Sequence, residues 1–236
     1  MDKMNVSHTF DFGSLPPQIA LNGRFDDTCS LHLTQRCIEA IYGGRLKIRI
    51  TKVGPNALIS RLTISLGCLS GDIGIFAGDH DAKVLLADGT LGVYKMMLWR
   101  NSSVSIGKNT TSNGVRIVCD NSEFVCGVDC MFSDNVLIQT ADQHGIVDIE
   151  LGKIINDYRK AVSVGDHVWL GRQCTLTANA NVGSGSVIGT GAIVTGRIPD
   201  KVIAAGTPAR AIKENHTWSR SPVVLDDFSQ RYVDEG

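Results

Sequence analysis

Three groups of side chains in this 236-residue chain have the types and surroundings to do chemistry. One is a histidine, His144, in the stretch TADQHGIVDIELGKIIN; the second is Trp169, in VGDHVWLG; the third is a basic pair, Arg210 and Lys213, in GTPARAIKEN. A neutral imidazole, with a reference pKa of about 6.5, is suited to take a proton from a barely acidic group such as a hydroxyl. It works only if an acceptor orients the ring so that the outward nitrogen stays unprotonated. Asp142, Asp148 and Glu150 are the nearby carboxylates, and a backbone carbonyl would serve as well. Asp148 reads more readily as solvated loop surface. By spacing alone, His144 is equally a loop-exit residue making one hydrogen bond, and Arg210 with Lys213 is equally ordinary solvated charge. No cysteine or serine has an adjacent base motif, so no covalent nucleophile is expected.

The elements that must position these groups are announced by a six-residue rhythm. From Val164 the chain reads VGDHVW, LGRQCT, LTANAN, VGSGSV, IGTGAI, VTGRIP. Each block opens with an aliphatic residue (Val164, Leu170, Leu176, Val182, Ile188, Val194) and carries a compact or aliphatic residue fifth (Val168, Cys174, Ala180, Ser186, Ala192, Ile198). Neither a helical period nor simple alternation produces this. A short strand, a turn and a repeat do, so that successive coils stack as parallel strands. Three blocks per coil would place Val164 under Val182, Leu170 under Ile188 and Leu176 under Val194. Trp169 then holds the last position of its block and faces outward, which implies that a ligand or another subunit covers it.

The same period recurs upstream in another phase, at Cys126, Phe132, Ile138 and His144, so residues 145–163 are expected to interrupt the coil as a loop excursion. Such a loop on a rigid scaffold is a common seat of binding groups. The chain divides into an N-terminal extension, 1–44, with a short helix near Thr34 to Tyr42; a coil domain, 45–213, less regular between Arg45 and Trp99; and a tail, 214–236, packed across the outside or on a neighbouring subunit.

Composition fits one main domain with a continuous core: 43% of residues are hydrophobic, and 23 Lys and Arg against 24 Asp and Glu give a net charge of -1. That balance predicts no attraction to nucleic acid or membrane surfaces, and no apolar run approaches the ~18 residues of a membrane span, so a cytoplasmic protein is expected. Seven cysteines without CxxC spacing read as reduced core residues, Cys130 and Cys174 among them. His144 and His167 are the histidines of the repeat region, with no HxxxxH pair, so no metal site is expected.

These blocks resemble the hexapeptide-repeat acyltransferases, whose fold is a left-handed parallel β-helix, over roughly Ile106 to Lys213. The resemblance is to the branch of maltose and galactoside acetyltransferases and of capsule and O-antigen O-acetyltransferases. It implies an all-β fold, acetyl-CoA as co-substrate, a glycan acceptor, and homotrimers with active sites between subunits. His144 matches the family's general base and Trp169 its pocket tryptophan. The donor-contact positions fall on Arg172, Thr190, Thr195, Gly196, Arg210 and Lys213, and backbone amides near Gly171 and Thr190 are the candidates to bond the pantetheine arm or the thioester oxygen. Gly196 stands where the family often has Lys, and the neighbouring Arg197 is the candidate to compensate. His80, in FAGDHDAKV, is a weaker candidate for a second-subunit contribution and reads more readily as a turn residue. The implied activity is acetyl transfer to a sugar hydroxyl of a bacterial capsular or O-antigen polysaccharide. A small acceptor such as serine, an antibiotic or a free sugar, a metal enzyme of the γ-carbonic anhydrase type, and a noncatalytic β-helix scaffold are the alternatives.

Overall fold

Val164 lies beside Val182, Leu170 beside Ile188 and Leu176 beside Val194, all in parallel register, so eighteen residues carry the chain once around and back to the same face. The computed structural model, which describes residues 4–234, is a parallel β-helix built from two large sheets of nine and thirteen strands. In its C-terminal half the helix is a three-faced prism. The first face stacks Ser122–Cys126, Lys160–Val164, Asn181–Val182 and Arg197–Ile198; the second Met131–Phe132, Trp169–Leu170, Val187–Ile188 and Val202–Gly206; the third Val136–Gln139, Thr175–Leu176 and Ile193–Val194. The block-opening residues and the fifth-position residues Val168, Cys174, Ala180, Ser186 and Ala192 are all buried, filling a narrow axial core. The last coil departs from the eighteen-residue step: Ile198 pairs with Val182, sixteen positions on, so it holds a block-opening place rather than a fifth position.

The N-terminal half keeps a longer coil. Thr63, Lys83, Ser103 and Glu123 succeed one another on the first face at steps of twenty residues. Long strands, Ser70–Ala77, Leu91–Leu98 and Thr111–Cys119, span what later becomes two faces. The last of these makes the conversion. Its Thr111 and Ser112 pair with Met131 and Phe132 of the second face, its Val115 to Val118 pair with Val136 to Gln139 of the third, and the register shifts between Ser112 and Val115. Glycines stack at the bend. A Cβ on Gly92, at φ 108°, would stand 1.9 Å from the Ser112 carbonyl oxygen. Gly92→Ala is therefore expected to cost at least about 2 kcal/mol of stability, read as a lowered melting temperature.

Residues 4–44 are tied into these sheets. Ile19–Asn22 pairs in parallel with Leu46–Lys52, and Ser30–Leu33 with Thr63–Leu66. The helix expected near Thr34 to Tyr42 is present as Gln35–Tyr42, with the Thr34 hydroxyl accepting from the Cys37 amide at 3.3 Å and the apolar residues Cys37, Ile38, Ala40 and Ile41 turned inward. At the other end, Trp218 folds the tail onto the prism. Its ring stacks on His167 at 4.4 Å and its Nε1 donates to the His167 carbonyl oxygen at 2.8 Å. Arg220 pairs with Asp129 at 2.8 Å and donates to Thr111 Oγ1 at 3.0 Å.

The excursion is shorter than expected. Lys160–Val164 already runs in full register beside Ser122–Cys126, so the coil resumes at Lys160 rather than after residue 163. A sixfold pattern sees only the last residue of a five-residue strand. Lys160 is buried, with its ammonium on the Asn156 carbonyl oxygen and over the Tyr158 ring.

Candidate active site

His144 stands where the third face turns towards the first. Ile138, one block earlier in its sixfold run, is sealed in the core, and the chain then leaves the prism through a small antiparallel hairpin, Val147–Asp148 with Lys153–Ile154. The side chain of His144 is therefore exposed, at the shared rim of two clefts. One, of about 310 Å³, is lined by Arg100, Asp120, Asp142, Asn156, Tyr158 and Lys160 among others; the second, of about 460 Å³, reaches to Trp99.

Asn156 fixes the backbone under the imidazole. Its Nδ2 donates to the His144 carbonyl oxygen at 2.8 Å and to Asp142 Oδ2 at 2.9 Å, and its Oδ1 accepts from the Ile146 amide at 2.7 Å. The two ends of the excursion are thus sewn together by one amide. The three carboxylates expected near the ring behave differently: Asp142 is taken by Asn156, Asp148 caps a turn by accepting from the Leu151 amide at 2.8 Å, and among the described residues none bonds the His144 ring. Asn156→Ala is expected to lower turnover about tenfold while leaving the melting temperature within a few degrees, because it frees the loop and not the core. Steady-state rates and limited proteolysis of the excursion read both effects.

Other site candidates are distributed by the geometry of the prism. The turns from third to first face lie above one another, which sets Thr195, Gly196 and Arg197 on the same corner as His144, two coils or about 10 Å further along the axis. The turns from second to third face bring Arg172 over Thr190, with the Gly191 amide on the Arg172 carbonyl oxygen at 2.8 Å. Arg172 also pairs with Asp134 at 2.8 Å. Gly171 is not a free donor, since its amide already bonds the Ile188 carbonyl oxygen at 2.8 Å. Thr190 is an exposed residue whose amide has no hydrogen-bond partner among the described residues, and it is the donor this corner offers. Arg210 and Lys213 lie exposed on Ala209–Glu214, antiparallel to Val202–Gly206 at the end of the helix.

Trp169 faces outward from the second face, its Nε1 donating to Ser133 Oγ at 3.1 Å. It lines neither of the clefts that meet His144, so one chain does not bring these two residues together. His80 is a turn residue, its Nδ1 accepting from the Ser60 amide at 3.0 Å. His167 is fully buried between Asp129 Oδ2, at 2.7 Å, and the Trp218 carbonyl oxygen, at 2.8 Å, and serves the tail. All seven cysteines are buried and free, and burial pushes the thiols of Cys68 and Cys174 up to about 12 and that of Cys119 up to about 11, so these carry no thiolate nucleophile near neutral pH. Among the described residues no group of three His, Cys, Asp or Glu could hold a metal ion, and no helix is long and apolar enough to cross a membrane.

Sequence reasoning singles out His144; Asn156 closes the same contiguous motif but carries no role there until the structure shows its hydrogen bonds. It missed Trp99, Arg100 and Asp120, which come from coils without hexapeptide spacing and reach the site only through the stacking.

No family model matches the chain. It is 41% identical over 132 residues to the polysialic acid O-acetyltransferase of Escherichia coli O1:K1 / APEC, a match covering 54% of this chain and 43% of that protein. It is 33% identical over 113 residues to the galactoside O-acetyltransferase of Escherichia coli strain K12, covering 48% and 55%. The matched region thus spans about half the length of these curated relatives. In structure it superimposes on the polySia-specific acetyltransferase NeuO with a TM-score of 0.73 at 27% identity, covering 92% of this chain and 96% of that one. The polysialic acid O-acetyltransferase OatWY shares the fold, with a TM-score of 0.57 at 21% identity. With the hexapeptide blocks stacked as the register requires and the coil closed with the left-handed turn of these neighbours, the chain has the left-handed parallel β-helix fold and is similar, over about half its length, to the hexapeptide-repeat O-acetyltransferases.

Proposed function

We propose that this protein transfers an acetyl group from acetyl-CoA to a sugar hydroxyl of a bacterial capsular or O-antigen polysaccharide, with His144 as general base. The observation that carries this reading is the placement of His144: exposed, on a backbone pinned by Asn156, at the rim of two clefts and on the corner that continues to Thr195 and Arg197. An alcohol needs a base to become a nucleophile, and a positioned imidazole is the group on this corner that suits the task. The names of the relatives, O-acetyltransferases of polysialic acid and galactosides, support the reaction class.

The donor fits the remaining residues. Arg210 and Lys213 have no acidic partner among the described residues and would hold the CoA phosphates; Arg172, Thr195 and Arg197 would flank its arm. The unpaired Thr190 amide is a donor for the thioester oxygen as negative charge develops there. His144 removes the acceptor proton as the hydroxyl oxygen bonds the acetyl carbon, the carbon–sulfur bond breaks, and the imidazolium gives that proton to the departing sulfur, so that CoA leaves as the thiol. Both substrates meet directly in one complex.

The site is completed between copies of the chain. His144 and Trp169 lie on different faces of one prism, and the hairpin beside His144 exposes a run of apolar side chains, Ile149 at 93% and Leu151 at 62%. Such a patch is covered in a working protein. A homotrimer of flat-sided prisms brings the hairpin of one copy and the Trp169 face of the next together.

The test is incubation with acetyl-CoA and a panel of bacterial polysaccharides, followed by mass spectrometry of the glycans. An O-acetyl ester on one of them is the expected result; unchanged glycans across the panel, together with no thermal stabilisation by acetyl-CoA, would refute the proposal.

A further inference from the structure

The cleft on the Trp99 side of His144 is built from residues outside the hexapeptide blocks: Asn56, Gly78, Asp79, Trp99 and Arg100 come from three successive long coils. Its two halves meet the other cleft through Arg100, Asp120, Gln143 and His144, which line both. A ligand lying through the pair would pass directly under the imidazole.

Trp99 forms an apolar plate in this otherwise polar groove. Its six-membered ring lies on the backbone of Gly78, where an added Cβ would stand 2.3 Å from Cε3 and Cζ3, and it also touches Gly54. The indole Nε1 is buried without a partner, so the part of this half-buried side chain that meets solvent is carbon. Beside it Asp79 is held rigid: Oδ1 accepts from Asn56 Nδ2 at 3.0 Å and from the His80 amide at 2.8 Å, leaving Oδ2 free to accept. A carbon plate next to fixed planar hydrogen-bonding groups matches a sugar ring, which has one face of C–H groups and an equatorial rim of hydroxyls.

The charges select among sugars. The two clefts hold four carboxylates, Asp79, Asp120, Asp142 and Asp157, against Arg100 and Lys160. Both cations are committed: Arg100 to Asp120 at 2.9 Å and Asp157 at 3.4 Å, Lys160 to the Asn156 carbonyl oxygen and, at 3.9 Å, to Asp142. An acidic sugar here would meet an excess of like charge with no spare cation to receive it.

We propose that the Trp99 cleft is an acceptor subsite for an uncharged glycan, which seats the sugar unit next to the one presented to His144. This rests on the acetyl-transfer reading above and extends it by naming the class of acceptor. It also separates this chain from the polysialic acid enzymes it resembles, whose acceptor is a polyanion.

Two measurements test it. First, kcat/KM is compared for oligosaccharides of neutral sugars and for matched ones carrying sialic or uronic acid; the neutral series is expected to be favoured at least about tenfold. Second, binding of the same neutral oligosaccharides to the His144→Ala protein is followed by calorimetry, with and without Trp99→Ala. Loss of the plate is expected to weaken binding about tenfold, and Trp99→Phe to restore part of it, with thermal melting showing that each variant folds. Because the binding arm needs no turnover, absence of acetyl transfer would sink the reaction and leave the subsite still measurable. Equal or better use of acidic glycans, or binding unchanged by Trp99→Ala, would overturn the proposal.

Discussion

His144→Ala is expected to lower kcat about 10²- to 10⁴-fold while leaving the fold and the affinity for acetyl-CoA intact. The magnitude follows from what the side chain does. A sugar hydroxyl is hardly ionised near neutral pH, so nearly all nucleophilic oxygen must be generated in the transition state by the base. The preservation of fold follows from where the side chain is. The ring is exposed, no described residue bonds it, and the interactions that order its loop come from the backbone carbonyl of His144 and from Asn156, which alanine leaves in place. Donor binding is unaffected because Arg172, Thr190, Arg210 and Lys213 lie on other turns or on the final strand. Steady-state kinetics with calorimetric titration of acetyl-CoA separates these terms; a variant retaining near-normal turnover would remove the imidazole from the mechanism.

An effect of comparable size is expected from side chains that take no part in the reaction. Ile149→Asp combined with Leu151→Asp places two carboxylates on the exposed apolar flank of the hairpin. In an isolated prism these changes touch nothing and should leave the melting of the monomer unaltered. If that flank is buried against a second copy, each charge must be desolvated without a partner, and association fails. Turnover should then fall to background, since one chain alone does not bring Trp169 to His144. Light scattering reports the assembly and acetyl release the activity. The same logic predicts complementation: His144→Ala and Trp169→Ala subunits, each inactive alone, should regain part of the activity when co-expressed, because a mixed trimer contains one interface with both native residues. A fully active monomer would contradict the shared site.

The prism was legible wherever the chain turns every six residues, because there each corner must be filled by one aliphatic side chain and the pattern is the fold. Val164, Leu170 and Leu176 predicted their own stacking partners. The rungs before Thr111 were less legible for a physical reason. Strands such as Leu91–Leu98 alternate buried and exposed residues across two faces without a corner, so a twenty-residue coil leaves no hexapeptide trace. His144 was visible as a break in phase: the slot that Phe132 and Ile138 fill with core is filled by a polar ring, and the chain departs there. Its surroundings were not visible. Trp99 and Asp120 precede it by more than twenty residues and meet it only because coils stack, and the buried Lys160 looks like surface charge until its ammonium is seen on the Asn156 carbonyl. Gly171, a donor by analogy, is already committed to Ile188, a fact that belongs to the register and not to the residue type.

The central claim is that a hydroxyl deprotonated by His144 takes the acetyl group straight from the thioester. The most direct test follows the label after one turnover, with acetyl-labelled CoA, excess enzyme and an accepting glycan quenched in acid. The account predicts label on the glycan alone for the wild-type chain, and label left on CoA for His144→Ala although that variant still binds the donor. Label found on the protein, or reaching the glycan at the same rate without His144, would contradict it.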